Sequence, residues 1–172
     1  MKIILVCGSA ECLFDDLARV KELLDVAYDV ACINHTALYY PYFFNYWVGW
    51  HPEIFAGLRK FVKGNPITMS SQKEEGVDSV WKFDGFQASD SSLYAAKIML
   101  ELKYDRVILC GSPMDNSRKF YDPYGAEKPQ HSADNIQEAW RQEVAGFKDR
   151  VKSMSGNTRH ILGAPTKEWL HV

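Results

Sequence analysis

Short apolar runs alternate with helix-like segments along the whole chain. Residues 2–7 form a near-continuous apolar run, which is typical of a parallel strand covered on both faces. Residues 14–24 carry apolar side chains at three- and four-residue spacing, which predicts an amphipathic helix. The same reasoning predicts strands at 28–33, 46–50, 66–69, 106–110 and 159–162, and helices at 51–61, 92–102 and 133–151, the last capped by Ser132.

This alternation predicts βαβ units and therefore an α/β fold. We expect residues 1–172 to form a single-domain, Rossmann-like, open twisted and mostly parallel sheet with helices on both faces. In such sheets, ligands bind beyond the carboxyl ends of the strands, where strand order reverses. The residues that directly follow predicted strands are Gly8–Cys12, Asn34-His35, Trp50-His51 and Gly111–Asn116.

Composition narrows the classes of partner. The net charge is −2 at pH 7, so no excess of positive charge favours nucleic acid. No apolar stretch approaches the roughly 20 residues that span a bilayer, so we expect no transmembrane segment. The four cysteines form no C-x-x-C pair, which favours buried thiols in the reducing cytoplasm over a disulfide or metal site.

Several segments contain residues that could bind a ligand or take part in catalysis, and most of them also have a simpler structural interpretation. The Gly8-Ser9-Ala10 turn either presents backbone N–H groups to an anion or is an ordinary βα turn. Asn34 either reads a base or sugar edge or simply forms a turn. The polar segment 112–130 is long enough to form a lid. His131 either acts as a general base or is a solvated group at a helix start.

The aromatic segment 39–50 holds more rings than one short strand can bury. Part of it must belong to the core. We expect the surplus to form a homo-oligomer contact or to line an acceptor site.

Five short segments at strand ends and helix starts carry a family resemblance: Gly8-Ser9-Ala10-Glu11-Cys12, Cys32-Ile33-Asn34 before Tyr39-Tyr40, Ser91-Ser92-Leu93-Tyr94-Ala95-Ala96, Gly111 through Tyr124, and His131-Ser132 followed by Ile136. In this order they resemble the bacterial sialyltransferases of glycosyltransferase family 42. They also resemble the wider group with that fold, which includes motility accessory factors and pterin diphosphokinase-like proteins. Ser9 and Ala10 stand where the family has asparagine and a second glycine, which predicts an altered nucleotide contact.

The resemblance implies a metal-independent transferase that moves a sugar-type group from a CMP-sugar-like donor to an acceptor hydroxyl, with no other cofactor. Tyr121 and Tyr124 would contact the donor phosphate and stabilise the leaving group in place of a metal. His131 would deprotonate the acceptor hydroxyl. The implied nucleotide-binding residues are Gly8, Ser9, Ala10, Asn34, Ser91, Ser92, Gly111 and Ser112.

Two other functions stay open at this point. One is an ATP- and magnesium-dependent phosphotransferase of the diphosphokinase type, for which Asp90, Asp115 and Asp122 are the candidate metal ligands. The other is a non-catalytic module that binds or sequesters a nucleotide.

Overall fold

The computed structural model of the protein describes residues 1–84, 90–115, 117–122 and 133–171, without the side chains of 133–136 and 144. Its strands are β1 (Ile3–Cys7), β2 (Asp29–Ile33), β3 (Tyr46–Val48), β4 (Ile67–Ser70), β5 (Ser79–Val80), β6 (Arg106–Cys110) and β7 (Val151–Ser153). Its α-helices are α1 (Leu13–Leu23), α2 (Thr36–Tyr39), α3 (Glu53–Leu58), α4 (Ser91–Glu101), α5 (Ala133–Val144), α6 (Gly156–Leu162) and α7 (Lys167–Leu170). A 3-10 turn, Arg59–Phe61, follows α3.

The seven strands form one open, wholly parallel sheet in the order β5-β4-β3-β2-β1-β6-β7. The chain builds outward from β1 to β5 and then crosses back to place β6 on the other side of β1. Strand order therefore reverses between β1 and β6, the place where sheets of this kind bind ligands. The predicted α/β Rossmann-like class is confirmed.

The two faces of the sheet are buried by different helices. Along β1, Ile3, Leu5 and Cys7 pack in the core on the side of α1, α2, α3 and α7. Ile4 and Val6 point the other way, into the core formed with α4, α5 and α6. Because both faces are covered, β1 has to be apolar at every position, and all five of its residues are buried.

Two predicted elements near the C-terminus are wrong. Helix α5 ends at Val144 instead of continuing to 151, because the chain turns at Gly146 and then enters the sheet as β7. Residues 159–162 belong to α6 and not to a strand. The buried pair Thr158 and Leu162 is spaced four residues apart, which is a helical spacing that the short apolar run concealed.

The aromatic segment 39–50 divides as its surplus of rings suggested. Tyr40, Phe44 and Trp47 are buried in the core, whereas Tyr42 and Phe43 are exposed. Self-association through this segment stays a prediction. No helix in the described part of the chain is long and apolar enough to cross a membrane.

All four cysteines are free thiols. Cys7, Cys32 and Cys110 are buried strand residues, and Cys12 is partly buried at the start of α1. Burial raises the pKa of the Cys7 thiol to about 12 and that of Cys12 to about 11, so neither is a ready nucleophile at neutral pH.

Candidate functional site

The turns after β1 and β6 touch each other at the carboxyl edge of the sheet. A Cβ atom on Gly8 would overlap both the Ser112 hydroxyl and the Gly111 carbonyl. The backbone N–H of Gly8 donates to the Cys110 carbonyl at 2.8 Å. Glycine is therefore required at position 8 because the two turns meet backbone against backbone.

Hydroxyl and amide side chains connect this contact to α4. The Ser92 hydroxyl donates to the Ser112 hydroxyl at 3.0 Å, and both residues are buried. The Asn34 side-chain amide donates to the Ser91 hydroxyl at 3.1 Å. The predicted residues from four separate segments of the chain thus meet at the carboxyl edge of the sheet.

The turn after β1 has fewer free backbone donors than its sequence suggested. The Ala10 N–H donates to the Gly111 carbonyl at 3.0 Å, and the Glu11 N–H donates to the Arg118 carbonyl at 2.7 Å. An antiparallel bridge joins Ala10 to Lys119. This return of the chain across the turn had no signal in the hydrophobic pattern, since a single bridge needs no periodic run of residues.

Asp16 is a buried residue of this site that was not predicted from the sequence. Its carboxylate accepts hydrogen bonds from the Gly111 N–H at 2.9 Å and from the Ser155 hydroxyl at 2.7 Å. The side chain lies on the buried face of α1 with Leu13 and Leu17. The sequence does hold one signal: helical spacing places this aspartate on the apolar face of α1. A buried carboxylate needs hydrogen-bond partners, so an aspartate at such a position indicates a polar contact in the core.

A second hydroxyl fixes the loop after β6 from α6. Thr158 is fully buried, and its hydroxyl donates to the Ser112 carbonyl at 2.7 Å. The Asn157 side chain donates to the Met114 carbonyl at 2.9 Å. Met114 has a positive φ of 53°, so the loop is held in a backbone conformation that few residues adopt freely.

Tyr121 lies over the turn after β1. Its ring stacks on Tyr39 with centroids 4.3 Å apart, and the N–H of its neighbour Phe120 donates to the Ser9 carbonyl at 2.8 Å. Burial raises the pKa of the Tyr121 phenol, while the nearby Ser9 side chain opposes the rise. The phenol is therefore protonated at neutral pH and able to donate a hydrogen bond.

The end of β2 is less completely bonded. Asn34 has a positive φ of 48°, and its carbonyl accepts the Trp47 indole N–H at 2.8 Å. Two buried atoms here, Asn34 Oδ1 and Thr36 Oγ1, have no hydrogen-bond partner among the described residues. Nearby, burial and the charge of Lys119 lower the pKa of His35.

Asp90 has a structural role at the N-terminus of α4. It is the N-cap residue, and its carboxylate accepts the Ser92 N–H at 3.0 Å and the Trp140 indole N–H at 2.7 Å. Burial raises the pKa of this carboxyl group, and the hydrogen bonds oppose the rise. The sequence predicted Asp90 as a candidate magnesium ligand, but each of its two carboxylate oxygens already accepts a hydrogen bond from the protein.

Asp115 and Asp122, the other two candidate metal ligands, form no metal site with Asp90 among the described residues. Asp115 is exposed and accepts the Ser117 N–H at 2.8 Å. Within the described residues, no three His, Cys, Asp or Glu side chains are grouped so that they could hold a metal ion. His131 and Tyr124, the predicted base and second tyrosine, lie outside the described residues, as do residues 116 and 123–130 of the predicted lid at 112–130.

Comparison with known proteins supports the architecture. The chain matches no protein-family model and no curated protein sequence. Its structure is similar to that of an α-2,3-sialyltransferase from Campylobacter jejuni in its apo form, with a TM-score of 0.55. That alignment covers 96% of this chain and 80% of the other at 13% sequence identity. At this identity the likeness establishes a shared fold, which is a sialyltransferase-like one.

Proposed function

We propose that the protein is a glycosyltransferase-like enzyme that transfers a sugar-type group from a nucleotide-activated donor, of the CMP-sugar kind, to an acceptor hydroxyl. The observation that carries this proposal is the meeting of Gly8, Asn34, Ser91, Ser92 and Ser112 at one edge of the sheet. That edge is where strand order reverses in a sialyltransferase-like fold.

Each group has a physical task in this proposal. The amide oxygen of Asn34, which has no partner among the described residues, could accept a hydrogen bond from a donor group on the nucleotide. The protonated phenol of Tyr121 donates to the departing phosphate, and Lys119, which is bridged to Ala10, adds positive charge. Stabilising the anion that leaves is the largest demand of such a transfer.

The proposed base is His131, which would accept the proton of the attacking hydroxyl. In one step, the acceptor oxygen forms a bond to the anomeric carbon and the bond from that carbon to the phosphate oxygen breaks. The nucleotide leaves with the bonding electron pair as a monophosphate. The imidazole holds the proton until solvent removes it.

Replacing the base tests this assignment. In His131→Ala, we expect turnover of a CMP-activated sugar to fall by about a hundredfold or more while CMP binding is unchanged. His171→Ala is the matched control, since His171 is an exposed histidine after α7. Full activity in His131→Ala would remove this residue from the mechanism.

A second candidate function has its own observation. The N–H groups of Gly8, Ala10 and Glu11 donate to protein carbonyls, which reduces what the turn offers to a phosphate. This favours a module that binds a nucleotide without consuming it. If CMP and a CMP-activated sugar both raise the melting temperature but the sugar nucleotide stays intact during prolonged incubation, the non-catalytic function replaces the first.

A further inference from the structure

An open cleft of about 640 Å³ lies at the C-terminal end of α4. Its walls come from three places in the chain: the segment after β5, the last turn of α4, and the segment between α5 and β7. Ser91 and Ser92, at the other end of α4, belong to the candidate site. Nine or ten residues of helix separate the two ends by about 14 Å, so the cleft is a distinct site.

The walls of the cleft combine flat apolar groups with an excess of positive charge. Trp81, Phe83 and Phe147 supply aromatic surface. Four basic residues line the cleft against two acidic ones, Asp84 and Glu101. One of the basic residues, Lys97, is paired with Glu143 at 2.6 Å, and Lys103 lies 4.0 Å from Glu101. Arg150 donates to the Tyr104 carbonyl at 2.7 Å and keeps its charge, so Lys82, Lys103 and Arg150 are the other cations that line the cleft.

The backbone of Trp81 is fixed in this wall by two hydrogen bonds. Its backbone N–H donates to the Ser70 carbonyl at 2.8 Å, and its carbonyl accepts the Tyr94 hydroxyl at 2.8 Å. Its indole N–H is nevertheless buried without a partner among the described residues. By contrast, the indole N–H groups of Trp47, Trp140 and Trp169 donate at 2.8, 2.7 and 2.6 Å. An unpaired buried donor is costly, so a ligand acceptor that reached it would be favoured.

We propose that this cleft binds a small organic anion with a flat aromatic body. The aromatic body packs against Trp81 and Phe83, and the anionic group faces Lys82, Lys103 and Arg150. The indole of Trp81 turns toward the cleft to donate to an oxygen of the bound anion. The proposal does not depend on the function of the carboxyl edge.

Phenyl phosphate is a suitable probe, followed through the indole N–H resonances in a ¹⁵N–¹H correlation spectrum at low salt. We expect a saturable downfield shift of the Trp81 indole, while the indoles of Trp47 and Trp169 stay in place. Trp81→Phe assigns the resonance by its loss. Phenol and inorganic phosphate, each carrying half of the recognised chemistry, should bind at least about tenfold more weakly.

A double substitution tests the charge. Lys82→Gln with Lys103→Gln should weaken phenyl phosphate binding by about fivefold, and added salt should reduce the difference. Lys60→Gln with Lys63→Gln makes the same change of charge away from the cleft and should leave binding unaltered. The proposal is overturned if Trp81 shows no saturable shift, if inorganic phosphate binds as well as phenyl phosphate, or if both double variants bind alike.

Discussion

The two sides of the carboxyl edge differ in how completely they satisfy their own polar groups. On the closed side, formed by the ends of β1, β6 and β7, Asp16 and Thr158 each bond to the turn after β6. On the open side, at the end of β2, Asn34 Oδ1 and Thr36 Oγ1 are buried without partners in the described part of the chain. Asn34 also holds a positive φ.

This difference distinguishes the framework of the edge from the part that we propose to bind a ligand. Fully paired buried groups fix a backbone, since any movement breaks several hydrogen bonds at once. Unpaired buried groups cost stability and are retained where a ligand can supply the missing bond. We therefore assign the shape of the edge to the closed side, and the proposed function places recognition of the nucleotide on the open side.

The largest effect should come from filling the contact between the two turns. Gly8→Ala places a Cβ against the Ser112 hydroxyl and Gly111 carbonyl, so we expect a loss of about 3 kcal/mol in the free energy of unfolding. Gly57→Ala in α3 meets nothing within 4 Å and should stabilise the helix by about 0.5 kcal/mol. Chemical denaturation of both variants measures the difference. Equal stability would contradict the close approach of the turns.

Removing the buried carboxylate should have the next largest effect. Asp16→Ala leaves the Gly111 N–H and the Ser155 hydroxyl without their acceptor, which should cost about 2 kcal/mol. Asp15→Ala, its exposed neighbour in α1, should cost at most about 0.5 kcal/mol. Urea unfolding compares the two, and an equal cost would show that the Asp16 bonds add nothing.

One substitution made on both sides of the edge tests the comparison itself. Thr158→Val removes a hydroxyl that donates to the Ser112 carbonyl and should cost about 1 kcal/mol. Thr36→Val removes a hydroxyl with no described partner, so the free energy of unfolding should be unchanged or rise by about 0.5 kcal/mol. Thermal unfolding of the two variants measures the change in stability at each position. A larger loss at position 36 would reverse the assignment of the two sides.

The smallest expected effect is a change in titration. Burial and Lys119 lower the pKa of His35 below the ordinary value of 6.5, so the folded state favours neutral imidazole. Its contribution to stability is therefore present above about pH 6.5 and is lost as pH falls through the lowered pKa. In Lys119→Gln, the pKa of His35 should rise toward its ordinary value, as followed by proton NMR of the imidazole. No change would mean that burial alone sets this pKa.

The strand pattern of the sequence predicted most of the sheet. Residues 106–110 were predicted with the bounds of β6, because a buried parallel strand is apolar on both faces. β7 was missed, since Val151–Ser153 is three residues long and follows a helix without a proline break. Short elements of this kind are fixed by tertiary pairing, here with β6, and not by local preference.

The site was predictable where a residue directly follows a strand. Gly8, Asn34 and Ser112 could be placed together because parallel strands end at one edge. Asp16 and Thr158 could not, since they act from the first turns of α1 and α6 through hydrogen bonds between distant parts of the chain. The only sign of such a hydrogen bond in the sequence is a polar residue on the apolar face of a helix.

The most direct measurement is calorimetric titration of the protein with CMP, comparing the unchanged chain with Asn34→Gly. Glycine keeps the positive φ at position 34 and removes only the side chain. We expect CMP to bind the unchanged chain and Gly57→Ala alike, and to bind Asn34→Gly about tenfold or more weakly. Absence of CMP binding, or equal affinity in Asn34→Gly, would contradict a nucleotide site on the open side of the edge.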